Sequence, residues 1–428
     1  MCNSADKHSH THSHSHGHAH SHTHAHANDS VAHTHTHAQA GHTRLQHNHV
    51  EQGSRRDFLR MLMGSTLAGA SALELAWHRA AWASAAAPAA EGNLFDLQPV
   101  GTGIFFAHAH PQAQVNCNAA IFVRSKDVVV VDAHSKPSAA ASLIRQIRRE
   151  ITAKPVRYVI NTHFHWDHTQ GDHAYRAAFS PIDFIASSAT KQLMSEMSVQ
   201  RVKESLDAVP PRIEALRKRA EASQDRGEKA FCAEQIGQLQ AYQKELSDFT
   251  LELPTITFDK TYMLQDPAYD LHLDFHGHAH TAGDILVFSP HHRVMATGDA
   301  SHGWLPNIAD GFPRSWPGTI DDLAKADFKY ILGGHGPMRP DRIVMTAQRN
   351  YIEELGERVA AGKQAGLTLE ELQKRMTVAS LKSMQSNGYA GILDRVLAES
   401  TPHYGPMPPL QSGVNANIAD VFKNLDRV

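Results

Sequence analysis

The stretch Thr162-His163-Phe164-His165-Trp166-Asp167-His168 places four strong metal-ligand side chains within six residues. It follows the apolar run Val-Arg-Tyr-Val-Ile at 156–160, which predicts a buried strand. Side chains two positions apart in an extended segment point the same way, so His163 and His165 are expected to bind one metal at the end of the strand. The chain must then turn before a helix-like segment at 172–179, and this turn directs Asp167 and His168 toward a second point nearby.

The ligand types in this stretch indicate zinc chemistry. Imidazole and carboxylate are the ligands of catalytic zinc, which keeps one coordination position open for water. Two metals about 3.5–4 Å apart would activate that water jointly. A chance cluster is the alternative interpretation, because the chain carries 33 histidines. Most of the excess is N-terminal, however, and the predicted strand, turn and helix provide the context that a metal site requires.

The pattern His163-x-His165-x-Asp167-His168 resembles the motif of the metallo-β-lactamase fold superfamily of metal-dependent hydrolases. Together with the later motifs, the resemblance extends over about residues 93–342. It implies an α/β chain folded as an αββα sandwich. It also implies two zinc ions as cofactors, with iron or manganese as the alternative metals.

A second motif lies at 277–284, with the sequence Gly-His-Ala-His-Thr-Ala-Gly-Asp. It resembles the family's Gly-x-x-His-Thr-x-Gly-Asp element, which places the ligand at His280. His276 and His278 are nearby alternatives, and His278 is two residues away, so it is expected to share a face with His280. We favour His280 because it directly precedes the Thr-x-Gly-Asp turn.

The remaining ligands implied by the resemblance follow the next strands. Asp299, after a predicted strand at 294–297, corresponds to the carboxylate that bridges both metals and offsets their repulsion. His335 lies in the glycine loop at 333–336, where glycine permits a tight backbone path. Two sets of three ligands, with one shared aspartate, are therefore implied: His163, His165 and His280 for one metal; Asp167, His168 and His335 for the other; and Asp299 between them.

The implied activity is hydrolysis of a small-molecule substrate. The metals would lower the pKa of a shared water toward about 7, and the bridging hydroxide would attack an ester, thioester, lactone, amide or phosphoester bond. Asp167 is the predicted catalytic residue, since the corresponding aspartate also steers the proton in relatives. Asp132, which ends a β-branched run, is expected to support the metal-ligand loop, with a plain loop-capping role as the alternative.

Two departures from the family bear on the substrate. The commonest subclass of metallo-β-lactamases has cysteine where this chain has Asp299, and lysine where this chain has His302. β-Lactamase proper is therefore an alternative and not the main prediction. His302, Trp304 and Trp316 are predicted to contact the substrate, although ordinary core packing explains the tryptophans equally well. Further candidates for the cleft are Phe312, His108, His110 and His134.

Two other functional classes remain open. A non-hydrolytic di-iron oxidoreductase on the same fold would need a flavin or rubredoxin-like module, and the sequence shows none. A metal-storage or metal-delivery protein is the second class, because residues 1–53 form a low-complexity tail in which histidine alternates with Ser, Thr, Gly or Ala. That tail has no apolar face to bury, so we predict that it is disordered.

Residues 54–92 resemble a twin-arginine export signal and a linker. Ser54-Arg55-Arg56-Asp57-Phe58-Leu59-Arg60 precedes a mildly apolar run at 61–76, and Ala83-Ser84-Ala85 matches a signal-peptidase site. The run is too short and too weak for a stable membrane span. The prediction is a periplasmic or secreted protein delivered by the twin-arginine export machinery; the alternative is a helix of the globular domain.

Net charge and cysteine content bear on which partners and which disulfide bonds to expect. The net charge of −3 gives no reason to expect a nucleic-acid partner. The chain's cysteines, Cys2, Cys117 and Cys232, show neither zinc-ribbon spacing nor a paired framework, so no disulfide is predicted.

The predicted catalytic domain spans 93–342 and is interrupted by long, charged, helix-periodic segments at about 190–250. We interpret these as an inserted helical hairpin whose first helix Pro210-Pro211 should interrupt. The hairpin is either a packed appendage or a lid or dimer face beside the metal site, which leaves a homo-oligomer open. Residues 343–428 are predicted to be a helical C-terminal extension, with helices at 343–361, 369–386 and 415–425.

Overall fold

The computed structural model of the protein describes residues 94–109, 117–247, 249–338, 342–404 and 409–427, with the backbone alone at 400–404. The predicted disordered tail (1–53) and the predicted export signal and linker (54–92) lie outside the described residues, as do Cys2 and His110. Within the described part of the chain, no helix is both long and apolar enough to cross a bilayer.

The first sheet has seven strands that pair in chain order. Strands β1 to β4 pair antiparallel, and β4 to β7 pair parallel. The fourth strand is a run of four buried valines, as expected for a strand that is covered on both faces. The strands are β1 (Phe95–Gly101), β2 (Ile104–Ala109), β3 (Ala119–Val123), β4 (Val128–Val131), β5 (Val156–Ile160), β6 (Asp183–Ser187) and β7 (Ile256–Phe258).

The second sheet has five strands in the order β12-β11-β10-β9-β8, antiparallel except for the parallel pair β11 and β12. Its buried side chains Leu273 and Val287 form one apolar cluster with Phe106, Val129 and Ile160 of the first sheet, so the two sheets pack face to face. The strands are β8 (Thr261–Leu264), β9 (Leu271–Asp274), β10 (Leu286–Ser289), β11 (Val294–Gly298) and β12 (Tyr330–Gly333).

Helices cover the outer face of the first sheet. Leu143 of α1 (Pro137–Gln146) and Tyr175 of α3 (Asp172–Ala178) join Ile121 and Val130 of the sheet in a second apolar cluster. Pro137 lies at the start of α1, where its fixed φ suits the helix and its missing N–H costs nothing. The short helix α2 (Trp166–Thr169) lies between them in the chain.

The helical insertion lies between β6 and β7. It comprises α4 (Ser188–Leu193), a π-helical turn (Met194–Ser198), α5 (Val199–Asp207), α6 (Val209–Ala222) and α7 (Arg226–Leu246). The predicted interruption is confirmed, because α5 ends before Ala208 and the two prolines lie in the first turn of α6. Helices α6 and α7 pack together around Val209, Ile213, Leu239 and Tyr242.

The C-terminal helices cover the outer face of the second sheet, where Trp316, Ile320 and Tyr351 cluster with Met295 and Ile331. The helices are α8 (Trp316–Leu323), α9 (Ile343–Gln364), α10 (Leu369–Arg375), α11 (Lys382–Gln385), α12 (Tyr389–Tyr404) and α13 (Leu410–Asn424). The predicted αββα sandwich with an inserted helical hairpin and a helical C-terminal extension is therefore confirmed.

The prediction of one helix over 369–386 is wrong. Helix α10 ends at Arg375, and residues 377–380 form a turn in which Thr377 and Ser380 bond to each other's backbone N–H. Asn387 and Gly388, with φ of 54° and 67°, then separate α11 from α12, a helix that the sequence analysis does not predict.

Candidate metal centre

The motif at 162–168 lies directly after β5, as the sequence predicts. The backbone is extended at His165, with ψ of 149°, and α2 then begins at Trp166. The turn that redirects Asp167 and His168 is thus a single turn of helix. Thr162 also joins the two sheets, because its carbonyl oxygen accepts a hydrogen bond from the backbone N–H of Ile285 over 2.9 Å.

Three imidazoles converge at the first of two points. His163, His165 and His280, which we call the first triad, are all buried, and each offers a ring nitrogen within 4.8 Å of the others. Nδ1 of His165 lies 2.8 Å from Nε2 of His280. The structure thus brings together three side chains that are up to 117 residues apart in sequence (280 − 163 = 117).

Contacts behind the rings assign the protons of the first triad. His280 Nδ1 lies 2.8 Å from the carbonyl oxygen of Asn307, and His165 Nε2 lies 2.9 Å from Oδ2 of Asp310. Both oxygens only accept hydrogen bonds, so both nitrogens carry the proton. In neutral rings, the nitrogens that face each other, His165 Nδ1 and His280 Nε2, therefore each carry a lone pair.

The proton on the third imidazole, that of His163, is assigned in the same way. His163 Nδ1 lies 3.0 Å from the hydroxyl oxygen of Thr162, which in turn donates to the carboxylate of Asp132. His163 Nδ1 therefore donates and Nε2 keeps its lone pair. Among the described residues, His163 Nε2 is buried without a hydrogen-bond partner. A buried orphan acceptor beside two other lone pairs fits a cation.

A second point gathers Asp167, His168 and His335, which we call the second triad. Oδ2 of Asp167 lies 3.3 Å from Nε2 of His335 and 3.5 Å from Nε2 of His168. All three side chains are buried. The structure thus places every residue of both predicted ligand sets in two adjacent clusters.

Asp299 lies between the two triads. Its Oδ2 is 3.6 Å from His280 Nε2 of the first triad and 3.1 Å from His335 Nε2 of the second. Its Oδ1 is 3.5 Å from His168 Nε2. Gly334 makes this approach possible, because a Cβ atom there would collide with Asp299 Oδ1 and His168 Cε1.

Asp132 supports the motif from behind, as expected. Its Oδ1 accepts hydrogen bonds from the Thr162 backbone N–H over 2.9 Å and from the Thr162 hydroxyl over 3.0 Å. Its Oδ2 lies 2.9 Å from His168 Nδ1. His168 Nδ1 therefore donates to Asp132, which leaves Nε2 facing Asp167 and Asp299.

Cys117, Asp132 and His168 form another group of donors within ligand distance of one another. Burial raises the pKa of the Cys117 thiol, which disfavours the thiolate that binds metals. His168 Nδ1 also donates its proton to Asp132. This group therefore suits a cation less well than the two triads do.

The charges at the centre call for a cation. Burial lowers the pKa of His163 and His280, which keeps both imidazoles neutral and able to bind a metal. Burial would also lower the pKa of His335, but the carboxylates of Asp299 and Asp167 raise it to about 10. Without a metal, the two carboxylates thus hold a proton on His335. A divalent cation can take the place of that proton and adds a further positive charge beside the two carboxylates, so the residues present fit one.

The predicted substrate-contact residues differ in position. Trp304 stacks on His335, with ring centroids 5.2 Å apart, so it lies beside the second triad. The His302 ring lies 5.3 Å from that of His335, and burial lowers the pKa of His302 to about 3. Trp316 is fully buried, and its indole N–H donates to the Ala300 carbonyl oxygen over 2.9 Å. The predicted substrate contact at Trp316 therefore does not fit, because this side chain packs in the core behind His280.

The alternative histidines lie outside the two triads. His276 Nδ1 lies 2.6 Å from an oxygen of Asp322, and His278 packs against Phe312, with ring centroids 4.4 Å apart. His134 is fully buried beside Phe95, so it lines no cleft. His108 stacks on Phe106.

Sequence reasoning missed the residues that orient the first triad. Asn307 and Asp310 hold the outer nitrogens of His280 and His165, and Arg201 of the helical insertion pairs with Asp310 over 2.9 Å. Asp310 lies 145 residues after His165 in the chain. No local pattern marks such a residue; a polar pair, Asn307 and Asp310, in a loop between two ligands was the one available signal.

Two comparisons with known proteins found similar proteins. The family model described as "Metallo-beta-lactamase superfamily" matches residues 113–335, which is just over half of the chain. Among solved structures, the chain is similar to the protein described as "Metallo-beta-lactamase from Pontibacter korlensis". That match has 17% sequence identity and a TM-score of 0.44, and it covers 60% of this chain and 99% of the other.

Proposed function

The chain belongs to the metallo-beta-lactamase superfamily, and on that premise we propose that it is a hydrolase whose centre holds two zinc ions. The first triad would hold one ion and the second triad the other, with Asp299 shared between them. Iron and manganese are the alternative metals, since imidazole and carboxylate also suit them.

The observation that carries the proposal is the 2.8 Å separation of His165 Nδ1 and His280 Nε2. Two lone pairs this close repel each other unless a proton or a cation lies between them. Both rings already direct a proton outward, to Asp310 and to the Asn307 carbonyl oxygen. A cation satisfies both lone pairs together with that of His163.

Two zinc ions, when bound, would supply a water of lowered pKa as the nucleophile and would polarise the substrate oxygen. The chain's own residues do the rest. Asp132 and Asp310 fix the tautomers of His168 and His165. We assign Asp167 the catalytic role of accepting the proton of the attacking water, because its carboxylate belongs to the second triad and faces Asp299 across His335.

The proposed reaction is hydrolysis of an ester, thioester, lactone, amide or phosphoester bond in a small molecule. The environment of His302 argues against a β-lactam substrate. Burial lowers the pKa of His302 to about 3, and its Nδ1 accepts a hydrogen bond from the Trp304 backbone N–H over 3.1 Å. His302 is therefore neutral and already paired, so it offers no cationic anchor for a substrate carboxylate at this position.

We also propose that the protein acts in the periplasm or outside the cell, after twin-arginine export. The support is the sequence Ser54-Arg55-Arg56-Asp57-Phe58-Leu59 with its apolar run and small-residue cleavage pattern. That pathway carries folded proteins, which suits an enzyme that takes up its metal in the cytoplasm.

A hydrolysis panel on the zinc-loaded protein tests the proposed function. The panel contains lactones, thioesters, carboxyl esters, phosphodiesters and β-lactams. We expect turnover in one of the first four classes, and we expect Asp167→Asn and His165→Ala to abolish it. His276→Ala is the matched control, because His276 pairs with Asp322 away from both triads. Full activity in the first two variants would refute the assigned site.

A further inference from the structure

One short loop orients two of the three imidazoles in the first triad. The loop comprises residues 306–310, between β11 and α8, and we call it the orienting loop. Its Asn307 carbonyl oxygen accepts a hydrogen bond from His280 Nδ1 over 2.8 Å. Its Asp310 carboxylate accepts from His165 Nε2 over 2.9 Å. The position of this loop therefore determines where two of the three lone pairs point.

The helical insertion contacts the orienting loop through Arg201 of α5. Nη2 of Arg201 lies 2.9 Å from Oδ2 and 3.1 Å from Oδ1 of Asp310. The same guanidinium lies over the ring of Phe164, 4.8 Å from its centroid. Phe164 separates His163 from His165, so Arg201 contacts both the partner of His165 and the chain that carries it.

The C-terminal extension contacts the same loop through its last helix, α13. Asn417 donates from Nδ2 to the Pro306 carbonyl oxygen over 2.9 Å, and Asn424 donates to those of Ile308 and Ala309 over 3.3 and 2.7 Å. Arg427 donates to the Asp310 carbonyl oxygen over 2.7 Å. The carbonyl oxygens of four of the five loop residues are thus held by α13 and the residue Arg427 beyond it; the fifth belongs to Asn307, which binds His280.

Charge and burial explain why these contacts matter. The side chain of Asp310 is 12% exposed, so its negative charge is costly without a cation beside it. Arg201 and His165 both donate to this carboxylate, so Asp310 is held facing the imidazole. Removing Arg201 would free this carboxylate to turn toward water and away from the imidazole.

We propose that the helical insertion and the C-terminal extension jointly position the first triad, with Arg201 and Asn424 acting through the orienting loop to set the affinity of the first metal position. Arg201, Asp310 and Asn424 are positioning residues, since none of them belongs to either triad. The second triad has its own support in Asp132, so it should be insensitive to them. The inference rests on the proposed two-metal function.

Zinc titration of the full-length protein against a chromophoric chelator provides the test, because it reads both binding steps without hydrolysis. Asp310→Asn should weaken the binding of one of the two ions by about 10- to 100-fold and leave the binding of the other unchanged. Arg201→Gln should weaken the binding of the same ion by about 3- to 10-fold, and Arg201→Lys should restore part of that affinity. Cobalt substitution should show the altered absorption band at that one position.

A double variant separates positioning from general destabilisation. The proposed route from Arg201 runs through Asp310, so the loss of zinc affinity in Arg201→Gln combined with Asp310→Asn should be clearly smaller than the two single losses added together. The matched control is Arg219→Gln, which removes an ion pair with Glu228 of similar length, 2.8 Å, within the same insertion. An Arg201→Gln protein that binds both ions as tightly as Arg219→Gln does would overturn the role of the insertion.

The C-terminal contact is tested in the same titration. Asn424→Ala should weaken the same ion as Asp310→Asn does, by about threefold or more, since partners behind a ligand tune its affinity. Gln411→Ala on α13 is the control, because Gln411 bonds to the Val378 backbone N–H and not to the orienting loop. Equal weakening of both ions in Asn424→Ala would show a purely structural role. A wild-type protein that binds fewer than two ions would overturn the proposed function as well.

Discussion

The carboxylate of Asp132 accepts a hydrogen bond from His168 Nδ1 over 2.9 Å, and this contact turns His168 Nε2 toward Asp167 and Asp299. Asp132 also accepts two hydrogen bonds from Thr162, one from the backbone N–H and one from the hydroxyl. One buried carboxylate directly after β4 thus fixes both the path of the motif and the tautomer of His168.

Asp132→Asn tests this relationship. Asparagine tolerates the positive φ of 67° at this position, so the backbone should persist, but its amide nitrogen cannot accept a hydrogen bond. We expect the second zinc ion to bind about 10-fold more weakly. The unfolding free energy should fall by about 1.5–3 kcal/mol, because hydrogen bonds to a buried charge are lost.

Metal titration and urea denaturation measure the two effects. Asp266→Asn is the control, since Asp266 bonds to Ser125 at the surface and touches neither triad. Wild-type zinc affinity in Asp132→Asn would show that the tautomer of His168 is fixed by other means.

Gly334→Ala tests whether zinc binding needs the two triads to lie this close together. A Cβ atom there would collide with Asp299 Oδ1 and His168 Cε1, so Gly334→Ala should displace a shared carboxylate and a ligand together. We expect loss of zinc from both positions, and destabilisation by about 1–3 kcal/mol from overpacking.

The control for Gly334→Ala is Gly237→Ala. Gly237 is exposed in the middle of α7, and a Cβ atom there would meet nothing within 4 Å. The control should raise the unfolding free energy by about 1 kcal/mol and leave zinc content unchanged. Zinc content is measured by elemental analysis after dialysis. Two ions retained in Gly334→Ala would mean that the centre binds zinc even when Asp299 and His168 are displaced.

Glu354 should make the C-terminal extension sensitive to acid. Its carboxylate accepts hydrogen bonds from the backbone N–H groups of Lys382 and Ser383 and from the Ser383 hydroxyl. Burial would raise the pKa of Glu354, but these hydrogen bonds hold it below the ordinary value of 4.5. The folded state therefore binds the proton less tightly than the unfolded state, so Glu354 stabilises the protein above pH 4.5 and loses that effect as pH falls through its folded pKa.

Glu354→Gln should accordingly cost about 1–3 kcal/mol at pH 7, where the carboxylate is the better acceptor, and progressively less as the pH falls below 4.5. Thermal unfolding of both proteins between pH 3 and pH 7 measures the difference. A difference that is constant over this range would show that the Glu354 charge is not involved.

The proposed export signal predicts where in the cell the protein is found. Arg55→Lys combined with Arg56→Lys should retain the protein in the cytoplasm, whereas Arg60→Lys should be exported normally. Cell fractionation and N-terminal sequencing measure the outcome, with the mature chain expected to start after Ala85. Unchanged export of the double variant would mean that these arginines belong to the globular part of the protein.

The sequence was enough to predict which side chains lie together, because each lies in a local motif at a strand end. His163, His165, Asp167 and His168 occur within six residues, and the strand before them is plainly apolar. His280, Asp299 and His335 each follow a strand within a distinctive Gly-containing pattern. Strand ends on one edge of a sandwich converge, so the order of the motifs was enough to predict a common site.

The supporting residues could not be predicted from the sequence, because their contacts are long-range. Arg201 and Asp310 are 109 residues apart, and Asn424 lies 115 residues after Ala309. A lone arginine on a charged helix is usually solvated, and only packing shows otherwise. Trp316 was predicted to contact the substrate but is buried in the core. Its proximity in sequence to the predicted ligands does not distinguish a cleft wall from a core residue.

Diffraction from zinc-loaded crystals, recorded on both sides of the zinc absorption edge, tests the two-metal centre most directly. We expect two anomalous peaks, one among His163, His165 and His280 and the other among Asp167, His168 and His335, with Asp299 between them. A single zinc bound by Cys117, Asp132 and His168, or no peak near Asp299, would contradict the account.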